Sequence, residues 1–357
     1  YGSPGDESTP TSIVGAGRGE FIFENFVPHG YAFAQVAVFG TEESSGCFDY
    51  RGAGEGLGIH SAVEWLGQQD WSNGNVGLYG KSYEGATQWE AAAMGSQYLK
   101  TIVPISGTTA LHPLLYKNGS AEARSQVMHM NYFSSTVDYD TDDFDNICPD
   151  IAEGFFAGPV TYVGGEMDPY MENYYDERSH IDKAFAKWNG SIYWVQGMQD
   201  WNVDPHMAFP IHQQVADAGI EIKTLAGQWA HDYPDRVSGH SSQGVGRGQE
   251  AYPYTLRWDW ADEMLYWFDW YLKGIGEQPG LFVEIQSNQG QWRIEDRYPP
   301  DGMEEMSLDL GGALSNIAGG TTNILPNGNF GPVYESSPLV EDIWISGLPR
   351  LHIDVST

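Results

Sequence analysis

Residues 76–86 read Val-Gly-Leu-Tyr-Gly-Lys-Ser-Tyr-Glu-Gly-Ala, and this stretch decides the fold. Residues 75–80 form a short apolar run typical of a buried strand, and residues 83–94 are rich in alanine, which favours a helix. A Gly-x-Ser turn between such a strand and helix strains the serine backbone and exposes its hydroxyl above the sheet edge. Gly85 stands one position later than in the general Gly-x-Ser-x-Gly pattern. The strand–turn–helix context still predicts that Ser82 is a catalytic nucleophile rather than part of a chance turn.

Strand and helix patterns alternate on both sides of this turn. Further strand-like runs lie at residues 31–39, 101–105, 191–197, 221–226 and 281–286, and further helical patterns at 59–66, 205–218 and 256–272. Strands that alternate with helices form a parallel sheet with helices packed on it. The sequence therefore predicts an α/β fold.

The alternation is interrupted at two places. Residues 108–188 are aromatic and acidic with few strand patterns, which predicts a mostly helical insertion that caps the site. After residue 299 the chain breaks into short pieces punctuated by Gly, Asn and Pro, which indicates the start of an antiparallel β module. The predicted domains are a catalytic domain at 1–107 and 189–299, a cap at 108–188 and the β module at 300–357. Because this module stops in what reads as mid-strand, we expect a longer polypeptide.

A nucleophilic serine needs a base to take its proton and an acid to orient that base. In enzymes built on this turn the chain order is Ser, then Asp or Glu, then His, each on a loop after a strand. Asp200 follows the predicted strand at 191–197, and His231 follows the one at 221–226. We therefore predict a Ser82–His231–Asp200 triad.

Other acids and histidines in these loops compete less well. Asp204 comes at a predicted helix start, where a carboxylate commonly caps the helix, and Asp232 adjoins the predicted base. His206, His212 and His240 lie on a helix or in a Gly/Ser-rich loop, where a lone histidine is more often structural. Acyl transfer also needs hydrogen-bond donors for the oxyanion, and the backbone N–H of Tyr83 is one by its position after the serine.

The charge balance excludes several classes of partner. The chain has 49 acidic and 17 basic residues among 357, a formal net charge of −32, and we expect such a surface to repel nucleic acid and anionic membranes. No apolar run approaches the roughly 18 to 20 residues that span a bilayer. Adaptation to a saline environment explains the charge, and an ordinary acidic secreted enzyme is the alternative. The sequence leaves a homo-oligomer open.

Two cysteines, Cys47 and Cys148, are present. A single surviving pair suggests one disulfide in an oxidising, secreted setting, and two buried free thiols remain the alternative. Residues 138–145 are rich in Asp but lack the glycine and the glutamate of a calcium loop, so a salt-adapted surface loop is the better interpretation. We predict neither a metal nor a cofactor.

With the turn, acid and base in place, the sequence resembles the X-Pro dipeptidyl-peptidases and cocaine-esterase-like hydrolases over nearly its whole length. The motifs that carry the resemblance are Gly80-Lys81-Ser82-Tyr83-x-Gly85, Gln199-Asp200-Trp201-Asn202-Val203, Gln228-Trp229-Ala230-His231, Gly40-Thr41-x-x-Ser44-x-Gly46-Cys47-Phe48-Asp49 and Gln286-Ser287 through Gln291-Trp292-Arg293. The resemblance implies an α/β-hydrolase fold with an inserted helical cap and the start of a C-terminal β jelly roll. It also implies a tyrosine hydroxyl as second oxyanion donor, for which Tyr1 is the candidate.

The sequence Asp-Trp-Asn-Val, which begins with the acid, resembles the prolyl dipeptidyl-peptidase branch, whose members release N-terminal X-Pro dipeptides. The carboxylates that follow the acid in the amino-ester branch are absent here. An esterase or amide acylase remains the alternative, and a catalytically idle binding or scaffold protein is an alternative of another class.

The predicted substrate is a peptide or a small ester or amide. Candidate substrate-binding residues are Trp201, Asn202, Tyr116 and Tyr174, although core packing explains most aromatic residues equally well. A dipeptidyl-peptidase needs a carboxylate for the substrate ammonium, and the sequence does not decide among Glu84, Glu166, Asp168 and Glu177.

Overall fold

We analysed a computed structural model of the chain. The structure describes residues 18–41, 44–117, 120–121, 148, 162–163, 166–167, 169–200, 202–236, 256–287, 290–307 and 340. The chain divides into two compact units, Tyr1–Tyr298 and Pro299–Thr357. Of the second unit only residues 299–307 and 340 are described, so the predicted jelly roll lies almost wholly outside the described residues.

A six-stranded sheet lies at the centre of the first unit. Its strands are β1 (Val76–Lys81), β2 (Leu99–Ile105), β7 (Ser191–Gly197), β8 (Glu221–Gly227), β9 (Val283–Gln286) and β10 (Trp292–Glu295), in that spatial order. Neighbouring strands from β1 to β9 pair in parallel, and β10 pairs antiparallel to β9. The prediction of an α/β fold with a parallel sheet is confirmed.

Helices cover both faces of this sheet. The described α-helices of the first unit are α1 (Arg18–Phe26), α2 (Ala53–Gly67), α3 (Tyr83–Met94), α4 (His112–Leu115), α5 (Pro169–Glu177), α6 (Ile181–Lys187), α7 (Phe209–Asp217) and α8 (Trp260–Phe268), and a turn of π-helix at Asp269–Lys273 extends α8. Within the described residues no helix has both the length and the apolarity that crossing a membrane requires.

Side chains alternate between two cores because successive residues of a strand point to opposite faces. Ile192 and Trp194 of β7 pack with α2, α3, α6 and α7, whereas Tyr193 and Val195 pack with α1 and α8. All seven residues of β7 are buried, as expected for a central strand covered on both faces. This double burial explains the unbroken apolar run from Ile192 to Val195 in the middle of β7.

A third apolar cluster lies beside the carboxyl end of the sheet. It joins the loop at residues 47–50 to α4, α5 and the described parts of the predicted cap. Two short hairpins accompany it: β3 (Tyr116–Lys117) with β4 (Ser120–Ala121), and β5 (Tyr162–Val163) with β6 (Glu166–Met167). At the end of the predicted insertion, α6 packs against α3 in the first core.

Two sequence-based assignments differ from the structure. The prediction of a strand at residues 31–39 is wrong: the segment has no regular structure, and no described strand pairs with β1 on its outer side. An apolar run without a neighbouring strand has no ladder in which to place its backbone hydrogen bonds. Helix α1 is not among the helical patterns that the sequence predicted, and Phe26 at its end is buried in the second core.

Candidate active site

Ser82 lies at the turn between β1 and α3 with a strained backbone. Its φ is 63° and its ψ is −118°, a backbone conformation that residues other than glycine rarely adopt. Its N–H donates to the carbonyl of Ile105 on the neighbouring strand at 2.8 Å. A Cβ at Gly85 would stand 2.8 Å from the same carbonyl oxygen, so only glycine lets α3 pass this close to β2. The displaced second glycine of the motif therefore still serves the close approach of helix and strand.

Asp200 follows β7, and its carboxylate is held by the backbone of its own loop. The side chain is buried, and Oδ1 accepts the N–H groups of Asn202 and Val203, each at 2.9 Å. Oδ2 lies 2.8 Å from Nδ1 of His231. A carboxylate fixed in this way can orient an imidazole and stabilise it when it becomes protonated.

His231 follows β8, and its loop is hydrogen-bonded to the loop after β7 and to the end of β1. The N–H of Gln199 donates to the carbonyl of Trp229 at 3.0 Å, which joins the loops after β7 and β8. Lys81 Nζ donates to the carbonyl of His231 at 3.1 Å, which joins the base to the residue before Ser82. Burial lowers the pKa of Lys81, although the nearby acids Asp232, Asp200 and Glu84 oppose that shift.

The three predicted triad residues therefore stand at the carboxyl ends of β1, β7 and β8, on one edge of the sheet. In the described part of the chain, the acid and base form a hydrogen bond and the Ser82 hydroxyl forms none with the His231 ring. Hydrogen bonds from nucleophile to base are commonly long before substrate binds and shorten in the complex.

A small pocket opens beside Ser82, and its walls are mainly apolar and aromatic. Its lining residues come from the loop at 50–51, the start of α3, the segment after β2 and the loop after Asp200: Tyr50, Arg51, Ser82, Tyr83, Ala86, Thr108, Leu111, Leu114, Asn202 and Val203. Sequence reasoning singled out only Ser82, Tyr83 and Asn202 among them. The positive φ angles of Tyr50 and Arg51, 41° and 67°, bring that loop to the pocket. Neither residue is a glycine, so the sequence gives no sign of this conformation.

The other candidate substrate residues lie in different places. Tyr116 stacks on His112 with ring centroids 5.2 Å apart, and Tyr174 lies under the guanidinium of Arg178 at 3.7 Å. Both are buried in the third cluster and neither lines the pocket. Trp201 and Tyr1 lie outside the described residues.

The candidate carboxylates for a substrate ammonium are spread over several elements. Glu84 lies in the first turn of α3, where burial raises its pKa. Glu177 is partly exposed and pairs with Arg178 at 3.1 Å. The backbone of Glu166 belongs to β6, and Asp168 lies outside the described residues.

The competing acids and histidines have contacts of their own. Asp204 pairs with Lys117 at 2.9 Å, and Asp232 accepts the N–H of Tyr233 at 2.8 Å. His212 is buried against Thr224 Oγ1 at 2.8 Å, and burial lowers its pKa to about 4. His206 is exposed, and His240 lies outside the described residues.

Cys47 and Cys148 form a disulfide with their Cα atoms 4.9 Å apart. The N–H of Cys148 also donates to the carbonyl of Phe48 at 3.0 Å. This link fastens a part of the predicted cap to the loop that carries Tyr50. No group of three His, Cys, Asp or Glu side chains among the described residues is arranged to hold a metal ion.

The geometry agrees with a comparison of the whole sequence with known families. A sequence model of the X-Pro dipeptidyl-peptidase family, S15, matches residues 6–233, which is more than half of the chain. The chain belongs to this family. The match contains all three predicted triad residues.

Curated relatives extend this similarity beyond the matched region. A protein named "Putative Xaa-Pro dipeptidyl-peptidase" from Streptomyces avermitilis is 27% identical over 363 residues, which cover 95% of this chain and 48% of that protein. A protein of the same name from Bacillus anthracis is 25% identical over 289 residues, covering 77% of this chain and 44% of that protein. The chain thus spans about half the length of the curated relatives it matches.

Solved structures show the same fold. A CocE/NonD family hydrolase from Staphylococcus aureus has a TM-score of 0.58 at 18% identity, covering 78% of this chain and 45% of that one. An alpha-amino acid ester hydrolase has a TM-score of 0.52 at 20% identity, covering 78% and 49%. The predicted α/β-hydrolase fold is confirmed.

Proposed function

We propose that this S15-family chain is the hydrolase part of a serine dipeptidyl-peptidase that releases X-Pro dipeptides from free N-termini. The observation that carries the proposal is the 2.8 Å contact of Asp200 with the His231 ring, at the same sheet edge as the strained Ser82. An oriented imidazole at the same sheet edge as a partly exposed serine is the arrangement that acyl transfer requires.

The reaction proceeds through an acyl-enzyme. His231 takes the proton from Ser82 Oγ as that oxygen attacks the carbonyl carbon of the proline residue, and Asp200 stabilises the imidazolium. The oxyanion accepts a hydrogen bond from the Tyr83 N–H, which points outward from the first turn of α3, and Tyr1 is proposed as the second donor. His231 then gives its proton to the leaving amine, the C–N bond breaks, and a water activated by the same imidazole releases the dipeptide.

The pocket beside Ser82 is proposed to hold the proline ring. Tyr50, Tyr83, Leu111, Leu114 and Val203 offer it apolar and aromatic walls. Transfer of the apolar proline ring from water into such a pocket is favourable, because the ring carbons need no hydrogen-bond partner there. The predicted cap at residues 108–188 is proposed to cover this pocket, and Glu84, Glu166, Asp168 and Glu177 are the candidates for the carboxylate that binds the substrate ammonium.

The disulfide and the charge support a proposal about the setting of the protein. A disulfide persists in oxidising compartments, and a net charge of −32 is tolerated best where salt screens it. We therefore propose an extracellular, saline environment.

The test is hydrolysis of Ala-Pro-p-nitroanilide, N-acetyl-Ala-Pro-p-nitroanilide and p-nitrophenyl butyrate by the full chain. We expect cleavage of the free-amine anilide alone, abolished in Ser82→Ala and retained in Ser61→Ala, an exposed serine on α2. Asp200→Asn should lower kcat about 10⁴-fold, as expected for loss of the orienting acid, whereas Asp204→Asn should not.

Other outcomes separate the alternatives. Turnover of the ester without either anilide would make the protein an esterase. Equal cleavage of the acetylated anilide would remove the need for a substrate ammonium. No turnover, together with no labelling of Ser82 by a fluorophosphonate, would indicate an idle relative that acts as a binding or scaffold protein.

A further inference from the structure

The side chain of Tyr83 is anchored beneath the candidate site by a buried carboxylate. Its phenol donates to Oε2 of Glu55 at 2.5 Å, a short hydrogen bond between two groups that are shielded from water. Burial raises the pKa of Tyr83 well above its ordinary value, so the phenol keeps its proton and remains the donor. Phe48 and Tyr50 flank the same ring, with centroids 6.3 and 6.1 Å away.

Tyr83 can serve the reaction in two ways at once. Its backbone N–H follows Ser82 and is the proposed oxyanion donor, and its ring is one wall of the pocket. Whatever fixes the ring therefore fixes both the donor and the wall. The anchor comes from a different helix, since Glu55 lies in the first turn of α2.

Glu55 also has a structural contact. Its Oε2 accepts the N–H of Arg51 at 2.8 Å, just before α2, as carboxylates in the first turn of a helix often do. That contact explains a glutamate or a glutamine at this position. It does not explain why the same oxygen of Glu55, a residue only 2% exposed, also accepts a hydrogen bond from the phenol of the residue next to the nucleophile.

We propose that Glu55 is a positioning residue for acyl transfer, which holds the Tyr83 phenol and so fixes the oxyanion donor and the wall of the acyl pocket. This inference rests on the proposed function of Ser82. Because a donor displaced by a fraction of an ångström loses much of its effect on the transition state, release of the phenol lowers kcat more than it raises KM.

The test uses substitutions at the two ends of this contact; Tyr83→Phe alters the contact alone, whereas Glu55→Leu also removes the acceptor of the Arg51 N–H, which Glu55→Gln keeps. Tyr83→Phe removes the phenol oxygen, and Glu55→Leu removes its acceptor. Each is expected to lower kcat about 10-fold on Ala-Pro-p-nitroanilide, and the double variant should be no slower than either single one. Glu55→Gln keeps an acceptor for the phenol and should restore most of the activity.

The matched control is a second buried phenol that contacts a glutamate away from the site. Tyr193 on β7 donates to Glu263 at 3.1 Å, so Tyr193→Phe removes a comparable hydrogen bond. It should leave kcat unchanged. Melting temperature, measured for every variant, separates a loss of folded protein from a loss of turnover.

The outcomes distinguish this inference from the function on which it rests. A kcat of Tyr83→Phe within about twofold of wild type, or purely additive losses in the double variant, would overturn the positioning role while Ser82-dependent hydrolysis stands. Hydrolysis that persists in Ser82→Ala would overturn the proposed function and this inference with it.

Discussion

Glu55 is a carboxyl group that folding removes from water with only one of its oxygens satisfied. Oε2 receives the hydrogen bonds of Tyr83 and Arg51, whereas Oε1 is buried without a partner among the described residues. Burial raises the pKa of Glu55 from 4.5 to about 7, and the hydrogen bonds from Tyr83 and Arg51 only partly oppose that shift. The charges packed around it are those of Arg51, Asp49 and Glu90.

The sign of the resulting pH dependence follows from the direction of this shift. A carboxyl whose pKa is higher in the folded state binds protons more tightly there. Its contribution to stability is complete below the unfolded pKa near 4.5 and is lost as the pH rises through about 7. Ionised Glu55 therefore destabilises the fold in the alkaline part of this window.

Replacing Glu55 with glutamine should remove this pH dependence. The free energy of unfolding of Glu55→Gln, relative to wild type, should rise by about 2 kcal/mol between pH 5 and pH 8. Urea unfolding at several pH values measures this difference, with Glu20→Gln at an exposed position of α1 as the control. A difference that stays constant with pH, or grows toward acid, would contradict the prediction.

At the residue scale, the candidate triad could be proposed from the sequence, whereas the pocket could not. Asp200 and His231 each follow an apolar run that is recognisable as a strand, so their loops could be placed at one sheet edge. Tyr50 reaches the pocket because its own φ of 41° turns the loop. A tyrosine in that conformation is stabilised by tertiary contacts, which no local sequence pattern encodes.

At the element scale, the sequence predicted strands correctly where burial on both faces of the sheet requires a continuous apolar run. The predicted bounds of α3 and β7 match those observed. The run at residues 31–39 is also apolar and forms no strand, because strand formation depends on a neighbouring strand that composition does not reveal. Sequence periodicity shows what a segment can bury but not what lies beside it.

Arg178, directly after α5, holds the pocket loop to the predicted cap. Its guanidinium is fully buried and donates to the carbonyls of Asp49, Tyr50 and Tyr174 at 3.0, 3.2 and 3.1 Å. It also pairs with the Asp49 carboxylate at 3.0 Å. One side chain thus connects the end of α5 to the loop that presents Tyr50.

Arg178→Met should therefore affect both folding and the pocket. We expect a loss of about 3 to 5 kcal/mol in the free energy of unfolding, because the buried Asp49 carboxylate loses its cation and three carbonyls lose a donor. KM for the prolyl substrate should rise in the fraction that remains folded. The exposed Lys187→Met on α6 is the control. Wild-type stability in Arg178→Met would show that Asp49 finds other partners.

At the scale of the whole molecule, like charge is the dominant electrostatic feature. With 49 acidic and 17 basic residues, most carboxylates have no cation available to them. Several cations are also taken up by buried or partly buried pairs, such as Arg51 with Glu90 and Arg178 with Asp49. The remaining negative charges repel one another across the surface over about 30 Å at 0.01 M salt and about 3 Å at 1 M.

The melting temperature should therefore rise with sodium chloride from 0.01 to 1 M, because screening relieves a repulsion that is stronger in the folded state than in the expanded chain. Most of the rise should come below about 0.3 M, where the screening length falls fastest. A variant with four exposed acids converted to amides, at Glu20, Glu24, Asp70 and Asp182, should start from a higher melting temperature in low salt and gain less from added salt. Sucrose, which stabilises compact states without screening charge, should raise both proteins equally. A melting temperature that is flat or falls with salt, or equal salt gains in both proteins, would show that the acidic surface does not limit stability and would leave the saline setting without physical support.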